Sequence, residues 1–151
     1  MSKIYIDTSV LGGCFDIEFK TWSNKLIESF LIGKYSAVIS DLTLRELENA
    51  PLQVRNIFKK IPEKYIIYII SNSESKKLRD EYIKEKIVTK KYLVDAEHIA
   101  LATVNNIDVL VSWNFKHIVN YNKIRQYNAI NYKIGYKVLE IRTPREVVDE
   151  E

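Results

Sequence analysis

The chain opens with Lys3-Ile4-Tyr5-Ile6-Asp7-Thr8-Ser9, a short apolar run that ends on a carboxylate. A run of that length with β-branched residues predicts a buried strand. Val10-Leu11-Gly12-Gly13 reads as a tight turn, since glycine accepts the positive φ that other residues resist, and a loop follows through Asp16. Trp22, Leu26, Ile27, Phe30 and Leu31 then recur at helical spacing, predicting a helix over 21–31 with Gly33 at its stop. A strand over 36–40 leads into a helix over 41–50, and Pro51 opens a further short helix that Pro62 closes. The most β-prone run is 65–70, predicted as a core or an edge strand. A charged helix is expected over 73–88, a strong helix over 92–105 and a buried strand over 108–113. A last strand over 137–141 and a frayed tail over 144–151 complete the pattern. Strands alternating with helices through short connections predict an α/β fold with a parallel sheet covered on both faces. The length of 151 residues suits one domain over 1–151.

In an open sheet of this kind ligands sit beyond the carboxyl ends of the strands, which places Asp7 at the rim. Glu46 and Asp95 each fall near the start of a predicted helix, so three carboxylates are candidates for one mouth. Each also has a purely structural explanation. Asp7 can close an Asx turn, Thr43-Leu44-Arg45-Glu46 matches a capping box, and Asp95 suits a helix N-terminus. On a helical wheel Tyr92, Ala96, Ile99, Ala100, Thr103 and Val104 form an apolar arc with Asp95 at its edge. Glu97 falls on the far, wetter side, and His98 on the pocket side, where a packing or hydrogen-bonding role is expected. Asn114 follows a predicted strand and is a good N-cap for 115–118; as a ligand it offers a neutral carbonyl oxygen. What unites these residues is their predicted position at strand-to-helix connections along one edge of one sheet. Clustered carboxylates repel unless a cation screens them, and hard oxygen donors select Mg²⁺ or Mn²⁺.

Composition narrows the picture further. One cysteine excludes a disulfide framework, and two histidines make a His-based zinc site a poor fit. No apolar stretch approaches the roughly 20 residues of a membrane helix, so a soluble cytoplasmic protein with no membrane partner is expected. The net charge of +3 is small, but its distribution is uneven. Between Asp108 and Glu140 there is no acid, while Lys116, Lys123, Arg125, Lys133 and Lys137 alternate with tyrosines. Such a face is either a solvated helix surface or a contact for a nucleic-acid backbone with occasional base stacking.

Four blocks carry a resemblance: Ile4-Tyr5-Ile6-Asp7-Thr8-Ser9-Val10, residues 39–47 around Glu46, Asp95-Ala96-Glu97-His98-Ile99-Ala100-Leu101-Ala102-Thr103, and Leu110-Val111-Ser112-Trp113-Asn114-Phe115-Lys116-His117-Ile118. In order and over nearly the whole chain they resemble the signature blocks of the PIN domain family, metal-dependent ribonucleases that include the VapC-type toxins of toxin-antitoxin pairs. The resemblance implies a three-layer PIN-like fold and a Mg²⁺- or Mn²⁺-dependent endoribonuclease. It makes Asp7, Glu46 and Asp95 the catalytic metal ligands, with Asp7 central. Asn114 stands where many members carry a fourth acid and would contribute through water. Thr8 or Ser9 would assist by hydrogen bonding, and Lys116, Lys123 and Arg125 would hold the RNA. A cognate antitoxin and a homodimer are the implied protein partners. The alternative is a catalytically weak or inactive module of the same fold that binds RNA or a protein, for which the neutral Asn114 speaks. A haloacid-dehalogenase-type phosphatase would need an acid two positions after Asp7, where Ser9 stands, and Gly12-Gly13 is no phosphate-cradling pattern.

Overall fold

In a computed structural model, residues 1–148 are described. Strands β1 (Lys3–Ile6), β2 (Ser36–Ser40), β3 (Ile66–Ile69), β4 (Val109–Val111) and β5 (Glu140–Arg142) form one parallel sheet in the order β3-β2-β1-β4-β5. Helices α1 (Thr8–Gly13), α2 (Lys20–Leu31), α3 (Asp41–Glu48), α4 (Leu52–Lys59), α5 (Ser73–Lys84), α6 (Leu93–Val104), α7 (Tyr121–Ile134) and α8 (Pro144–Val148) cover it. No described helix is long and apolar enough to cross a membrane.

Strand alternation builds two cores. Ile4, Ile6, Ala37 and Ile39 pack with Leu11, Leu26 and Phe30 on one face. Tyr5, Val38 and Leu110, offset by one residue, join residues of α5, α6 and α7 on the other. The sheet is thus the middle of three layers, an α/β architecture with a parallel sheet covered on both faces, as the alternation of strands and helices predicts. The chain leaves β1 toward β2 and β3, then crosses back to lay β4 on the other side of β1. The crevice between the carboxyl ends of β1 and β4 is therefore the topological switch point, where open parallel sheets place their ligands.

Several local expectations change. Gly12 and Gly13 lie in α1 and not in a tight turn. Gly13 is needed for close approach: a Cβ there would lie 2.4 Å from Ser23 Oγ and 2.6 Å from Trp113 Nε1. The cap of α3 is Ser40, whose hydroxyl accepts from the Thr43 N–H, so Thr43-Leu44-Arg45-Glu46 is no capping box and Glu46 sits well inside the helix. Glu97 is 5% exposed and paired with Arg79 at 2.8 Å, because α5 packs over the side of α6 that the wheel left to water. Residues 96–103 are all buried, so α6 is enclosed on both sides. Strand β3 is an edge strand, α5 stops at Lys84, and Lys86 takes a positive φ of 60°. Helix α7 was hidden by its polarity, with Tyr127 and Asn131 its fully buried residues. Residues 144–148 form a short helix against α2 instead of a frayed end, with the Arg145 guanidinium 4.7 Å from the Trp22 ring centroid. The remainder of the predicted tail lies outside the described residues.

Asp41, the first residue of α3, ties that helix to the end of β3. Its Oδ1 accepts from the Ser71 N–H at 3.0 Å, and its Oδ2 from Arg45 at 3.0 Å. Burial opposes its charge, but Ser71 and Arg45 outweigh burial and hold the carboxyl below the usual carboxylate range. A depressed folded-state pKa contributes stability above the unfolded value, and that contribution is lost as pH falls through the folded one. Asp41→Ala is expected to cost about 1 kcal/mol at neutral pH, read as a lower urea midpoint. The gap from the parent should narrow in acid below about pH 4; a gap independent of pH would assign the loss to packing alone.

Candidate active site

Asp7 follows β1 directly, in extended backbone, and is 6% exposed. Both its oxygens accept hydrogen bonds: Oδ1 from Ser9 Oγ at 2.5 Å and Oδ2 from Ser112 Oγ at 2.7 Å. Ser9 in turn accepts from the Trp113 N–H at 2.9 Å, and Ser112 from the Asn114 N–H at 2.9 Å. The ends of β1 and β4 are thereby joined around the carboxylate at the switch point. Burial raises the Asp7 pKa and the Glu46 charge adds to it, against the pull of His98, Ser9 and Ser112.

Glu46 reaches this end of β1 from α3. Its Oε1 accepts from Thr8 Oγ1 at 2.7 Å, and its Oε2 lies 3.1 Å from His98 Nε2. Burial pushes its pKa up, but the hydrogen bond and charge of His98, with Thr8, leave it below the usual range. Asp95, the third residue of α6, is half-buried. Burial raises its pKa and Glu46 adds to the rise, opposed by His98, His117 and the Asn114 side chain. His98, one turn further along α6, is fully buried, with Nδ1 2.5 Å from the Tyr5 hydroxyl. Burial alone would depress its pKa; Glu46, Asp7 and Asp95 together raise it. Three carboxylates from three elements thus act on one imidazole.

Asn114 has the capping role expected of it, over a turn and not a helix. Its Oδ1 accepts from the backbone N–H groups of Lys116 at 3.2 Å and His117 at 3.0 Å. That carbonyl oxygen is the group the water-mediated ligand reading needed. The Ser9 hydroxyl is likewise committed to Asp7 and Trp113, which makes it a holder of Asp7 in this geometry.

The basic stretch divides. Lys116 is exposed, with its ammonium 5.9 Å from the Tyr92 ring centroid, and Arg125 lies over Tyr121 at 5.5 Å on the exposed side of α7. Lys123 instead donates to the Ile87 carbonyl at 2.7 Å, fixing the segment after α5. His117 stacks on Tyr92 with centroids 3.7 Å apart, and neither ring nitrogen has a hydrogen-bond partner among the described residues.

The residues that sequence reasoning passed over are Tyr5, Ser40 and Ser112. Tyr5 and Ser112 read as ordinary strand residues, and Ser40 as a strand end. Only the register that sets β1 between β2 and β4 brings them to the acids.

Hard oxygen donors of this kind, with burial and the Glu46 charge raising the pKa of Asp7 and of Asp95, fit a divalent cation such as Mg²⁺ or Mn²⁺ in kind and in charge. Their present arrangement is not closed around one. Among the described residues no group of three or more His, Cys, Asp or Glu side chains is set to hold an ion, and the Asp7 and Glu46 oxygens are engaged by serine, threonine and histidine.

The sequence matches no family model and no curated protein. Solved structures do share its fold. VapC20 of Mycobacterium tuberculosis, a sarcin-ricin loop cleaving toxin, aligns with a TM-score of 0.57 at 14% identity, over 76% of this chain and 92% of that one. VapBC2 of Rickettsia felis, bound to a DNA fragment from their promoter, aligns with a TM-score of 0.56 at 14% identity, over 93% of this chain and 98% of that one. The fold is accordingly that of the VapC-like PIN domains.

The aromatic wall beside the site rests on Gly13. Trp113 stacks on Phe19 with centroids 4.1 Å apart and donates from Nε1 to Ser23 Oγ at 2.8 Å. Gly13→Ala is expected to displace the indole at a cost of about 1–3 kcal/mol, seen as a lower Tm together with a shifted tryptophan emission. An unchanged emission spectrum would mean that α1 moves instead of Trp113.

Proposed function

We propose that this chain is a Mg²⁺- or Mn²⁺-dependent endoribonuclease, the toxin of a toxin-antitoxin pair, acting within a single PIN-like domain. The observation that carries the reading is the convergence of Asp7, Glu46 and Asp95, from β1, α3 and α6, at the switch point of a VapC-like fold. Asp7, Glu46 and Asp95 would hold the ion, which would lower the pKa of a bound water and offset charge developing on the phosphoryl oxygens. Asp7 is fixed for this by Ser9 and Ser112, and Glu46 by Thr8 and His98. Lys116 and Arg125, exposed and close to aromatic rings, contact the RNA backbone. The antitoxin partner is supported by the likeness to VapC20, a toxin, and to VapBC2.

One observation favours a second reading, a module of this fold that binds RNA or protein without cleaving. Asn114 is neutral and its carbonyl oxygen caps a turn, so the fourth corner of the mouth adds no charge for a cation. Incubating the purified chain with structured and single-stranded RNA, with and without Mn²⁺, separates the two. Asp7→Asn and Asp95→Asn are each expected to abolish Mn²⁺-dependent cleavage while leaving the fold intact by circular dichroism. Cleavage that survives both substitutions comes from a contaminant, and RNA binding without cleavage by the parent chain selects the second reading.

The RNA contact has its own test. Lys116→Glu together with Arg125→Glu should weaken RNA binding and reduce the slope of log affinity against log salt by about two. Equal binding by parent and variant at low salt removes these residues from the interface. Lys123→Glu should act through stability instead, because its ammonium is held by Ile87.

A further inference from the structure

We propose that His98 is the positioning residue of the acidic constellation, a strut that sets Glu46 against Asp7 and Asp95; this rests on the metal-dependent reading above. His98 lies one turn after Asp95 on α6, so both side chains leave the same face of the helix. Its Nε2 meets Glu46 Oε2 at 3.1 Å, and its Nδ1 meets the Tyr5 hydroxyl at 2.5 Å. Tyr5 stands two residues before Asp7 on β1, and its hydroxyl lies 2.7 Å from Ser40 Oγ. Ser40 caps α3, the helix that carries Glu46. The hydrogen bonds therefore close a circuit through α6, β1 and α3, and each of these elements delivers one of the three carboxylates.

The chemistry of the circuit separates a strut from simple packing. A carboxylate only accepts, so the hydrogen between His98 and Glu46 resides on Nε2. Tyr5 fixes the plane of the ring through the other nitrogen. An apolar side chain of similar size would fill the same volume, but it would leave the Tyr5 hydroxyl with Ser40 alone and release Glu46 Oε2. Glu46 keeps 34% of its side chain exposed and would be free to turn outward on its remaining Thr8 contact. His98 is fully buried and touches no substrate space, so it acts through Glu46.

The test is a Mn²⁺ titration of the purified chain, followed by the electron paramagnetic resonance of free Mn²⁺. His98→Leu is expected to weaken Mn²⁺ binding by about 10–100-fold, the usual loss when the partner of a metal ligand is removed. His98→Gln, whose amide can still donate to Glu46, should recover most of that affinity. Tyr5→Phe leaves the imidazole in place but frees its ring, and should weaken binding by less than His98→Leu. It also stands in for His98→Leu if that variant does not fold. In RNA cleavage the loss should fall on kcat, with KM for RNA little changed.

A folded His98→Leu or Tyr5→Phe variant with parental Mn²⁺ affinity overturns the strut. Equal losses in His98→Leu and His98→Gln also overturn it, in favour of packing. If the parent chain binds Mn²⁺ and cleaves no RNA while His98→Leu weakens the ion, the nuclease reading falls and the strut stands. If the parent cleaves RNA and neither substitution moves Mn²⁺ affinity, the strut falls and the nuclease reading stands.

Discussion

A carboxylate buried at the end of the central strand is the constraint around which the molecule is arranged. Desolvating Asp7 disfavours its charge, and an unmet buried carboxylate is among the more costly features a fold can carry. Both of its oxygens are met by hydroxyl donors, and those donors come from two chain segments more than a hundred residues apart in sequence. Ser112 can reach Asp7 because β4 pairs with β1 in the register Ile6↔Val111, which sets the residues just past each strand side by side. The crossover that returns the chain from β3 to β4 is therefore what makes the site, and the site constrains the crossover. A shift of one residue in that pairing would turn Ser112 to the other face of the sheet and leave Asp7 half-satisfied.

This dependence explains which parts of the molecule were legible in the sequence. Strand β2 is legible to the residue because Ala37-Val38-Ile39 is buried on both faces and leaves little choice of element. Asp7 and Asp95 are legible as site candidates because their positions are local, one at a strand end and one in a first helical turn. Glu46 was legible by its family block and misread by its local pattern. The capping box weighs neighbours within α3, whereas the partners of Glu46 are Thr8 and His98, 38 and 52 residues away. Glu97 fails for a related reason. A helical wheel assumes one covered side, and α6 has the sheet on one side and α5 on the other, so an acid on its outer face must find a cation in Arg79.

Helix α7 shows the opposite limit. Its apolar positions are few, and its buried anchors are a tyrosine and an asparagine that use hydrogen bonds. Tyr127 donates to the His117 carbonyl, and the Asn131 side chain bridges the Tyr82 hydroxyl and Thr103 Oγ1. Hydrophobic periodicity cannot register anchoring of that kind. The same polarity gave the stretch its look of a continuous basic face, which the structure divides: Lys123 is built into the fold, while Lys116 and Arg125 remain turned to solvent.

The neutral corner at Asn114 takes on meaning once His98 is placed. In a mouth of four acids, cations would have to offset four negative charges. Here three carboxylates share a buried imidazole, and the fourth position carries an amide that favours the charged form of Asp95. The repulsion among the three carboxylates is smaller on both counts. That lets the chain hold Asp7 buried and Glu46 inward through its own hydrogen bonds. Asn114 adds one further service: by capping the turn at Lys116 and His117 it fixes where β4 hands over to the basic segment, so the acidic mouth and its exposed cations share one rigid edge.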